Sequence, residues 1–345
     1  MTVPEEEIRR MSLSLADVFA AQKTIAGQVV RTPLIPSPFL SERAGVPFLL
    51  KMETMQPTGA FKLRGATNAI LNAPEGTKAV TCCSTGNHGR GVAYAARRQG
   101  INATICMSSL VPQNKVDRIR ALGADVKIIG TSQDDAMKEC LRLCETDGFV
   151  DISPFDDANV ISGQGTVGLE MLQDSPDLNM LLVPLSGGGL AGGVALAVKA
   201  INPDIRVIGI SMDRGAAMDA SIKAGRPVEV TEVASLADSL GGGIGLENQL
   251  SFSLCRDLLD DVVLVTENEI YRGLQTLYFE DGHVAEGASV VGIAALLADK
   301  LPAFKGPVAT IVTGRNVDMT QFTDVITGRP IQLGDTIVQG RSYDA

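Results

Sequence analysis

The chain has no tryptophan and only two histidines among its 345 residues, and aromatic side chains make up 4% of it. So few histidines do not indicate a histidine-based metal site. The six cysteines, two of them adjacent, lack the spacing of a disulfide framework. Cys140 and Cys144 lie four residues apart on a predicted helix and could share a metal ion, but buried reduced thiols are the favoured interpretation.

Basic residues are in the minority, because 30 Lys and Arg stand against 40 Asp and Glu, for a net charge of -10. Binding to a phosphate backbone depends on clustered cations, so we expect no nucleic-acid partner. The amino terminus, MTVPEEEIRR, lacks the basic start and apolar run of a signal peptide. The sequence therefore predicts a cytoplasmic protein.

One charge-free segment, residues 180–198, is long enough to imitate a membrane span. Its sequence, MLLVPLSGGGLAGGVALAV, contains a proline and three successive glycines near the middle. These residues would break a spanning helix and leave backbone groups unsatisfied in lipid. We therefore predict a strand, a glycine loop and a helix here, and no association with a membrane.

Strand and helix patterns alternate along the chain, which predicts an α/β fold with parallel strands. The predicted strands are 79–83, 102–109, 125–130, 180–185, 206–211, 261–266 and 308–313, and the predicted helices are 86–99, 113–122, 168–173, 190–200 and 267–281. A chain of this length usually forms more than one core. We expect a large domain of residues 1–52 and 156–330, a small domain of residues 53–155, and a C-terminal extension of residues 331–345.

The loop from Ser186 to Gly189 follows a predicted strand and precedes a predicted helix, a position where backbone amides bind phosphate. The same glycines fit the pattern G-x-G-x-x-G, and Asp213 ends the next strand, as in a dinucleotide site. Glycines required only for close packing are the third alternative. From the spacing alone, a phosphorylated cofactor, a nicotinamide dinucleotide and a structural loop all stay open.

A second loop, STGNHGRG from Ser84 to Gly91, joins a strand to a helix. Its hydroxyls and amides could hold a carboxylate, and Asn87 could donate to a ring oxygen, but an N-cap uses the same residue types. His88 is equally consistent with a structural role and with a catalytic one. Lys62 would have a chemical role if a phosphorylated aldehyde bound the glycine loop, because its amine could form a Schiff base. A lone lysine is otherwise a surface residue.

Several long motifs resemble the fold-type II pyridoxal phosphate enzymes, on the threonine dehydratase and serine racemase branch. The motifs are ETMQPTGAFKLRGATNAI, STGNHGRGVAYAA, SPFDDANVISGQGTVGLEML, VPLSGGGLAGG and IVTGRNVD. The first of them, together with LADSLGGGIGLEN, most resembles dehydratases associated with hydroxyectoine utilisation. The resemblance implies a tryptophan synthase β-like fold with two parallel-sheet domains, pyridoxal 5'-phosphate in the cleft between them, and a homodimer.

The resemblance also assigns roles to individual residues. Lys62 would form the Schiff base and take the Cα proton, and Phe61 would pack near the cofactor ring. Thr313 would face the pyridine nitrogen, and Asn87 would donate to the phenolic oxygen. The cofactor phosphate would be held by Ser186, Gly187, Gly188, Gly189 and Leu190. The substrate carboxylate would be held by Ser84, Thr85, Gly86, Asn87 and His88.

The implied reaction is dehydration of a β-hydroxy amino acid to a 2-oxo acid and ammonia. The candidate substrates are threonine, serine, a hydroxyaspartate and a hydroxyectoine-derived amino acid. A racemase or a β-replacement enzyme on the same cofactor is the alternative, and an NAD-dependent dehydrogenase is a remote one. Serine racemases carry a serine as the second catalytic base where this chain has Thr85. Their metal-binding carboxylates align with Ser211, Gly215 and Ala217, so we expect no metal there.

Overall fold

Two parallel β-sheets organise the chain in the computed structural model, which describes residues 13–84, 86–109, 111 and 113–344. The strands are β1 (Leu34–Pro36), β2 (Phe48–Met52), β3 (Ala79–Cys83), β4 (Asn102–Met107), β5 (Asp125–Ile128), β6 (Val150–Asp151), β7 (Met180–Pro184), β8 (Arg206–Met212), β9 (Asp261–Val265), β10 (Val308–Val312), β11 (Ile331–Leu333) and β12 (Thr336–Val338).

Helices cover both sheets and connect most of the strands. They are α1 (Leu15–Thr24), α2 (Pro38–Ala44), α3 (Lys62–Leu71), α4 (Asn87–Gln99), α5 (Gln113–Ala121), α6 (Gln133–Asp147), α7 (Ala158–Asp174), α8 (Gly189–Ile201), α9 (Ala217–Ala224), α10 (Leu250–Leu258), α11 (Glu267–Asp281), α12 (Val291–Leu297) and α13 (Met319–Ile326). Short 3-10 helices occupy Glu53–Met55, Asp238–Leu240 and Gly287–Val290.

The larger sheet has the strand order β1-β2-β10-β7-β8-β9, and the smaller has the order β5-β4-β3-β6. Every pairing within them is parallel except that of the edge strand β1 with β2. Strand β2 lies beside β10, so β1 and β2 are part of the larger sheet with strands from the second half of the chain. This topology confirms the predicted α/β class. Because the two sheets are separate, we also propose the predicted domain division: a large domain of residues 1–52 and 156–330, a small domain of residues 53–155, and a C-terminal extension of residues 331–345.

Local sequence explains where several helices begin and end. Helix α11 matches its predicted range, since Thr266 and Glu269 form a capping box at its start and Gly282 adopts φ 71° after its end. Helix α7 is much longer than the predicted 168–173, because the prediction excluded its glycine-containing first half. A Cβ on Gly163 would lie 2.7 Å from the Gly65 Cα, so these glycines let α7 and α3 pack backbone to backbone.

The uncharged segment 180–198 is divided between β7 and α8, as predicted. Across the described ranges, no helix has both the length and the apolar composition needed to span a bilayer. The cysteines are free thiols, and all except Cys144 are buried. The described residues contain no cluster of three or more His, Cys, Asp or Glu side chains placed to hold a metal ion.

A network of four buried charges joins β2, α3 and α7. Arg64 donates to both oxygens of Glu53 and to both oxygens of Glu170, at 2.7 to 2.8 Å. Lys51 donates to Glu170 (2.7 Å) and to the Thr32 carbonyl (2.6 Å). Burial alone would raise the pKa of Glu53, but the Arg64 guanidinium, the Thr32 hydroxyl and the Lys51 ammonium together outweigh burial and hold that pKa below its usual range. The charges of two cations and two anions therefore balance in the interior. One of the cations, Arg64, lies two residues after Lys62 on the same helix.

We predict that Arg64→Met lowers the free energy of unfolding by about 3–5 kcal/mol, because it leaves two buried carboxylates with one cation. Urea denaturation measures the change. Arg329→Met is the matched control, since Arg329 is 69% exposed in its pair with Asp324, and it should cost less than about 1 kcal/mol. Equal losses in the two variants would contradict the assigned role of the network.

Candidate active site

Lys62 is the first residue of α3, and a backbone contact with the end of β10 fixes its position. Phe61 donates its N–H to the Thr313 carbonyl (3.0 Å), and Ala60 forms a β-bridge with Gly314. The Phe61 ring centroid lies 5.4 Å from the Lys62 Nζ. These contacts bring Lys62, Phe61 and Thr313 together, as the predicted site requires.

The Lys62 amine points into the interior and donates to the Pro154 carbonyl, with an Nζ–O distance of 2.5 Å. Burial lowers the pKa of Lys62 to about 8, and Cys82 opposes the change to a smaller extent. An amine with a pKa of about 8 is neutral in roughly one molecule in ten at pH 7. A neutral amine can act as a nucleophile and as a base, and an ordinary solvated lysine is almost wholly protonated.

The loop after β3 contains the start of α4. Ser84 Oγ accepts from the backbone N–H groups of Gly86 (3.4 Å) and Gly89 (3.2 Å), which is a capping role. Its own hydroxyl proton is not used by any described contact, so the same residue can also donate to a ligand. Thr85, the candidate second base, lies outside the described residues.

His88 is buried and neutral. Its Nε2 lies 2.7 Å from the Ile152 carbonyl, and because a carbonyl only accepts, Nε2 carries the proton. Burial, with a smaller effect of Lys62, lowers the pKa of His88 to about 3. Nδ1 is buried without a partner among the described residues. His88 therefore cannot serve as a cationic acid at neutral pH, but its Nδ1 can accept a hydrogen bond.

Asn87 is held by two residues that the sequence patterns did not identify, Glu286 and Asn316. The Asn87 Nδ2 lies 2.9 and 3.0 Å from the two carboxylate oxygens of Glu286, and the Asn316 Nδ2 donates to the Asn87 Oδ1 (2.6 Å). Glu286 also accepts from the Asn316 backbone N–H (2.7 Å) and from Ser239 (3.3 Å). Burial raises the pKa of Glu286, and its bonds from Asn87 and Asn316 oppose that rise.

This arrangement leaves one Asn87 N–H available. The two N–H bonds of a side-chain amide diverge by about 120°, whereas both Glu286 oxygens lie in one direction from Nδ2. One N–H is therefore shared between the two oxygens, and the other points elsewhere. Glu286 could have been suspected from the sequence, because it is a single carboxylate inside the apolar stretch HVAEGASVVGIAALL.

The glycine loop begins after β7 and ends in the first turn of α8. Gly188 has φ 88°, a left-handed conformation that favours glycine. A Cβ on Gly189 would lie 2.9 Å from the Phe155 backbone, so close packing also requires a glycine there. The N–H groups that open α8 precede its first intrahelical bond, from Gly192 to Gly188 (2.7 Å). Packing and anion binding therefore both account for this loop.

Thr313 is buried at the end of β10, with its Oγ1 3.0 Å from the Ser289 Oγ. Ser289 also contacts the backbone of Gly314, accepting from its N–H and donating to its carbonyl, both at 2.9 Å. Because the single Ser289 hydroxyl proton goes to that carbonyl, the Thr313 hydroxyl donates to Ser289, and it has to rotate before it can donate to a ligand. Sequence patterns did not indicate Ser289, which lies 24 residues before Thr313.

The candidate residues follow the carboxyl ends of parallel strands, where α/β proteins bind ligands. Ser84 follows β3, Ser186 follows β7 and Thr313 follows β10. The segment after β6 connects them, because Pro154 accepts from Lys62 and Phe155 packs on the glycine loop. The lysine, the asparagine loop, the glycine loop and the hydroxyl are therefore linked through direct contacts and form one candidate site at the carboxyl ends of the two sheets.

Comparisons with known proteins match this architecture. The family described as "Pyridoxal-phosphate dependent enzyme" matches residues 25–314. A Sinorhizobium fredii protein with a provisional name as a threonine dehydratase is 54% identical over 92% of this chain and 96% of its own length. The L-threonine ammonia-lyase of Thermotoga maritima is 40% identical over 93% of this chain and 80% of its own. The structure of maize serine racemase has a TM-score of 0.86 and 33% identity, covering 90% of this chain and 96% of that one.

The depressed pKa of Lys62 predicts unusual reactivity in the apoenzyme. Below pH 8 the amine is mostly protonated and above it mostly neutral, so its rate of trace acetylation should rise with a midpoint near pH 8. Peptide mapping by mass spectrometry reports the acetylation rate at Lys62. Nα-acetyl-lysine, whose side-chain amine is free, is the reference compound in the same reaction. A midpoint near the ordinary lysine value of about 10.4 would contradict the buried environment of this amine.

Proposed function

The chain belongs to the pyridoxal-phosphate dependent enzyme family, and we propose that this lyase of the threonine dehydratase type acts on L-threonine or L-serine. The overall reaction removes water across the Cα–Cβ bond of a β-hydroxy amino acid, and hydrolysis of the resulting enamine gives a 2-oxo acid and ammonia. The observation that carries the proposal is the position of the Lys62 amine, which donates to the Pro154 carbonyl beside Phe155, the residue that packs on the glycine loop. Its relatives named as threonine dehydratase and threonine ammonia-lyase support the choice of substrate.

The described residues fit pyridoxal phosphate. The Lys62 amine matches the aldehyde of the cofactor in chemical type. The N–H groups at the start of α8 match its phosphate, and the buried Thr313 hydroxyl matches its ring nitrogen. The proposed holders are Lys62, Phe61, Asn87, Thr313 and the loop Ser186, Gly187, Gly188, Gly189 and Leu190. When bound, the cofactor supplies an electron sink for the electrons of the Cα–H bond.

Lys62 is the proposed base at Cα. Its amine would accept the Cα proton, and the same group could return a proton to the departing hydroxyl. The Pro154 carbonyl directs the amine, because Nζ keeps one donor engaged there. Thr313 would offer the ring nitrogen a hydroxyl, which, unlike a carboxylate, does not favour a protonated nitrogen, and this would favour elimination over transamination.

The loop after β3 is the proposed site for the substrate carboxylate, held by Ser84, Thr85, Gly86, Asn87 and His88. The Ser84 hydroxyl makes no donor contact within the described ranges, and the first turn of α4 adds N–H groups and the positive end of its dipole. The free N–H of Asn87 points away from Glu286 and is assigned to the cofactor's phenolic oxygen. The neutral His88 ring adds no charge, and its one N–H is engaged with the Ile152 carbonyl, so His88 could contribute only its backbone N–H to the carboxylate.

The proposal includes a second candidate activity and an alternative substrate. The similarity to maize serine racemase favours racemisation as the second candidate activity, with Thr85 as the base on the opposite face. The motif resemblance to hydroxyectoine-utilisation dehydratases makes a hydroxyectoine-derived amino acid or a 3-hydroxyaspartate the alternative substrate. The homodimer, the cytoplasmic location and the lack of metal at Ser211, Gly215 and Ala217 stay predictions.

The test is release of 2-oxo acid and ammonia by the cofactor-loaded enzyme given L-threonine, L-serine, both 3-hydroxyaspartate diastereomers or a hydroxyectoine-derived amino acid. We expect turnover of L-threonine or L-serine and a loss of about 10³-fold or more in Lys62→Ala, because the variant lacks both nucleophile and base. Lys223→Ala is the matched control, since Lys223 is 69% exposed on α9, and it should keep wild-type turnover.

If only a hydroxyaspartate or a hydroxyectoine derivative is turned over, the proposed reaction is right and the proposed substrate is wrong. Interconversion of L- and D-serine without oxo acid would move the assignment to a racemase. Full activity in Lys62→Ala would contradict the proposed mechanism.

A further inference from the structure

Two carbonyl groups of the glycine loop are tied to one face of α10. The Ser251 hydroxyl donates to the Gly187 carbonyl, with an Oγ–O distance of 2.7 Å, and the Cys255 thiol lies 3.6 Å from the Gly188 carbonyl. Ser251 and Cys255 are fully buried at one turn's spacing on the helix. No motif quoted from the sequence includes either residue, and neither has a role in the proposed chemistry.

A carbonyl that is held in one direction also orients the next amide. In a planar trans peptide the C=O of one residue and the N–H of the following residue point in opposite directions. The bond from Ser251 to Gly187 therefore turns the Gly188 N–H away from α10, and the contact at Gly188 turns the Gly189 N–H away likewise. We propose that Ser251 is a positioning residue that keeps the amides of the glycine loop directed at the cofactor phosphate.

The direction of the Ser251 bond is fixed by the Gly187 carbonyl, which can only accept. Asn248 holds the serine in place: its Nδ2 donates to the Ser251 Oγ (2.8 Å) and to the Ile244 carbonyl (3.0 Å), and its Oδ1 accepts from the Phe252 N–H (2.9 Å). The same Oδ1 lies 3.1 Å from the Ser251 Oγ and is a second acceptor for the hydroxyl proton, but the Gly187 carbonyl is nearer, at 2.7 Å.

The start of α10 is in turn held by Asp156. Its carboxylate accepts from the backbone N–H groups of Gln249 (3.0 Å), Leu250 (2.9 Å) and Ser251 (2.9 Å). Two residues earlier, the Pro154 carbonyl accepts from Lys62. The short segment from Pro154 to Asp156 therefore positions the Lys62 amine and, through Ser251, orients the N–H groups of the glycine loop. The proposed relay runs from Asp156 to Ser251 to Gly187.

The proposal rests on the phosphate role assigned to the glycine loop and does not depend on which amino acid is the substrate. The test compares binding of pyridoxal phosphate with that of pyridoxal, which lacks the phosphate, to the full-length apoenzyme by equilibrium dialysis. We expect Ser251→Ala to weaken pyridoxal phosphate binding roughly three- to tenfold, the effect of one lost hydrogen bond, and to leave pyridoxal binding unchanged. Ser251→Cys, with a weaker donor of similar size, should fall between the two.

Ser221→Ala is the matched control, because Ser221 is also a fully buried helical serine whose Oγ donates to a backbone carbonyl, at 2.7 Å, but on α9. It should leave the affinity for both ligands unchanged. Equal weakening of both ligands by Ser251→Ala, or no weakening of either, would overturn the positioning role. Equal affinity of the wild type for the two ligands would overturn the phosphate assignment itself. Substrate turnover does not enter either result, so a failure here is distinct from a failure of the dehydratase proposal.

Discussion

The buried bidentate contacts of Arg64 with Glu53 and Glu170 are the constraint on which the site depends. They join the residue after β2, the first turn of α3 and the C-terminal part of α7, and Lys51 completes the charge balance. A charge network of this kind tolerates little displacement, because any shift leaves an ion unpaired in a low-dielectric interior. Lys62 therefore lies on a helix whose rotation and depth are fixed from within the core.

The segment from Pro154 to Asp156 connects the Lys62 helix to the glycine loop. It meets the Lys62 amine, packs on the glycine loop through Phe155 and caps α10, which is tied to the same loop. On the opposite side, Glu286 and Asn316 hold Asn87, and Ser289 holds Thr313. Candidate groups from distant parts of the chain are thus oriented by neighbouring residues, as catalysis by preorganised groups requires.

Periodicity and capping predicted the elements whose structure is decided locally, and α11 with its capping box is the clearest case. They failed for the first half of α7, where the glycines are unfavourable for a helix and are retained because α3 packs against them. The lysine, the asparagine and the glycine loop were assigned through motif resemblance, since spacing left their roles open. Glu286 and Ser251 were missed because their partners lie 199 and 64 residues away in the chain.

The most direct test of the central claim, that Lys62 binds the cofactor, is borohydride reduction of the holoenzyme followed by peptide mapping. Reduction converts a labile bond between amine and aldehyde into a stable pyridoxyl group on the lysine that carries the cofactor. The account predicts a single pyridoxyl group, on Lys62. A pyridoxyl group on any other lysine, including the buried Lys51, would contradict it.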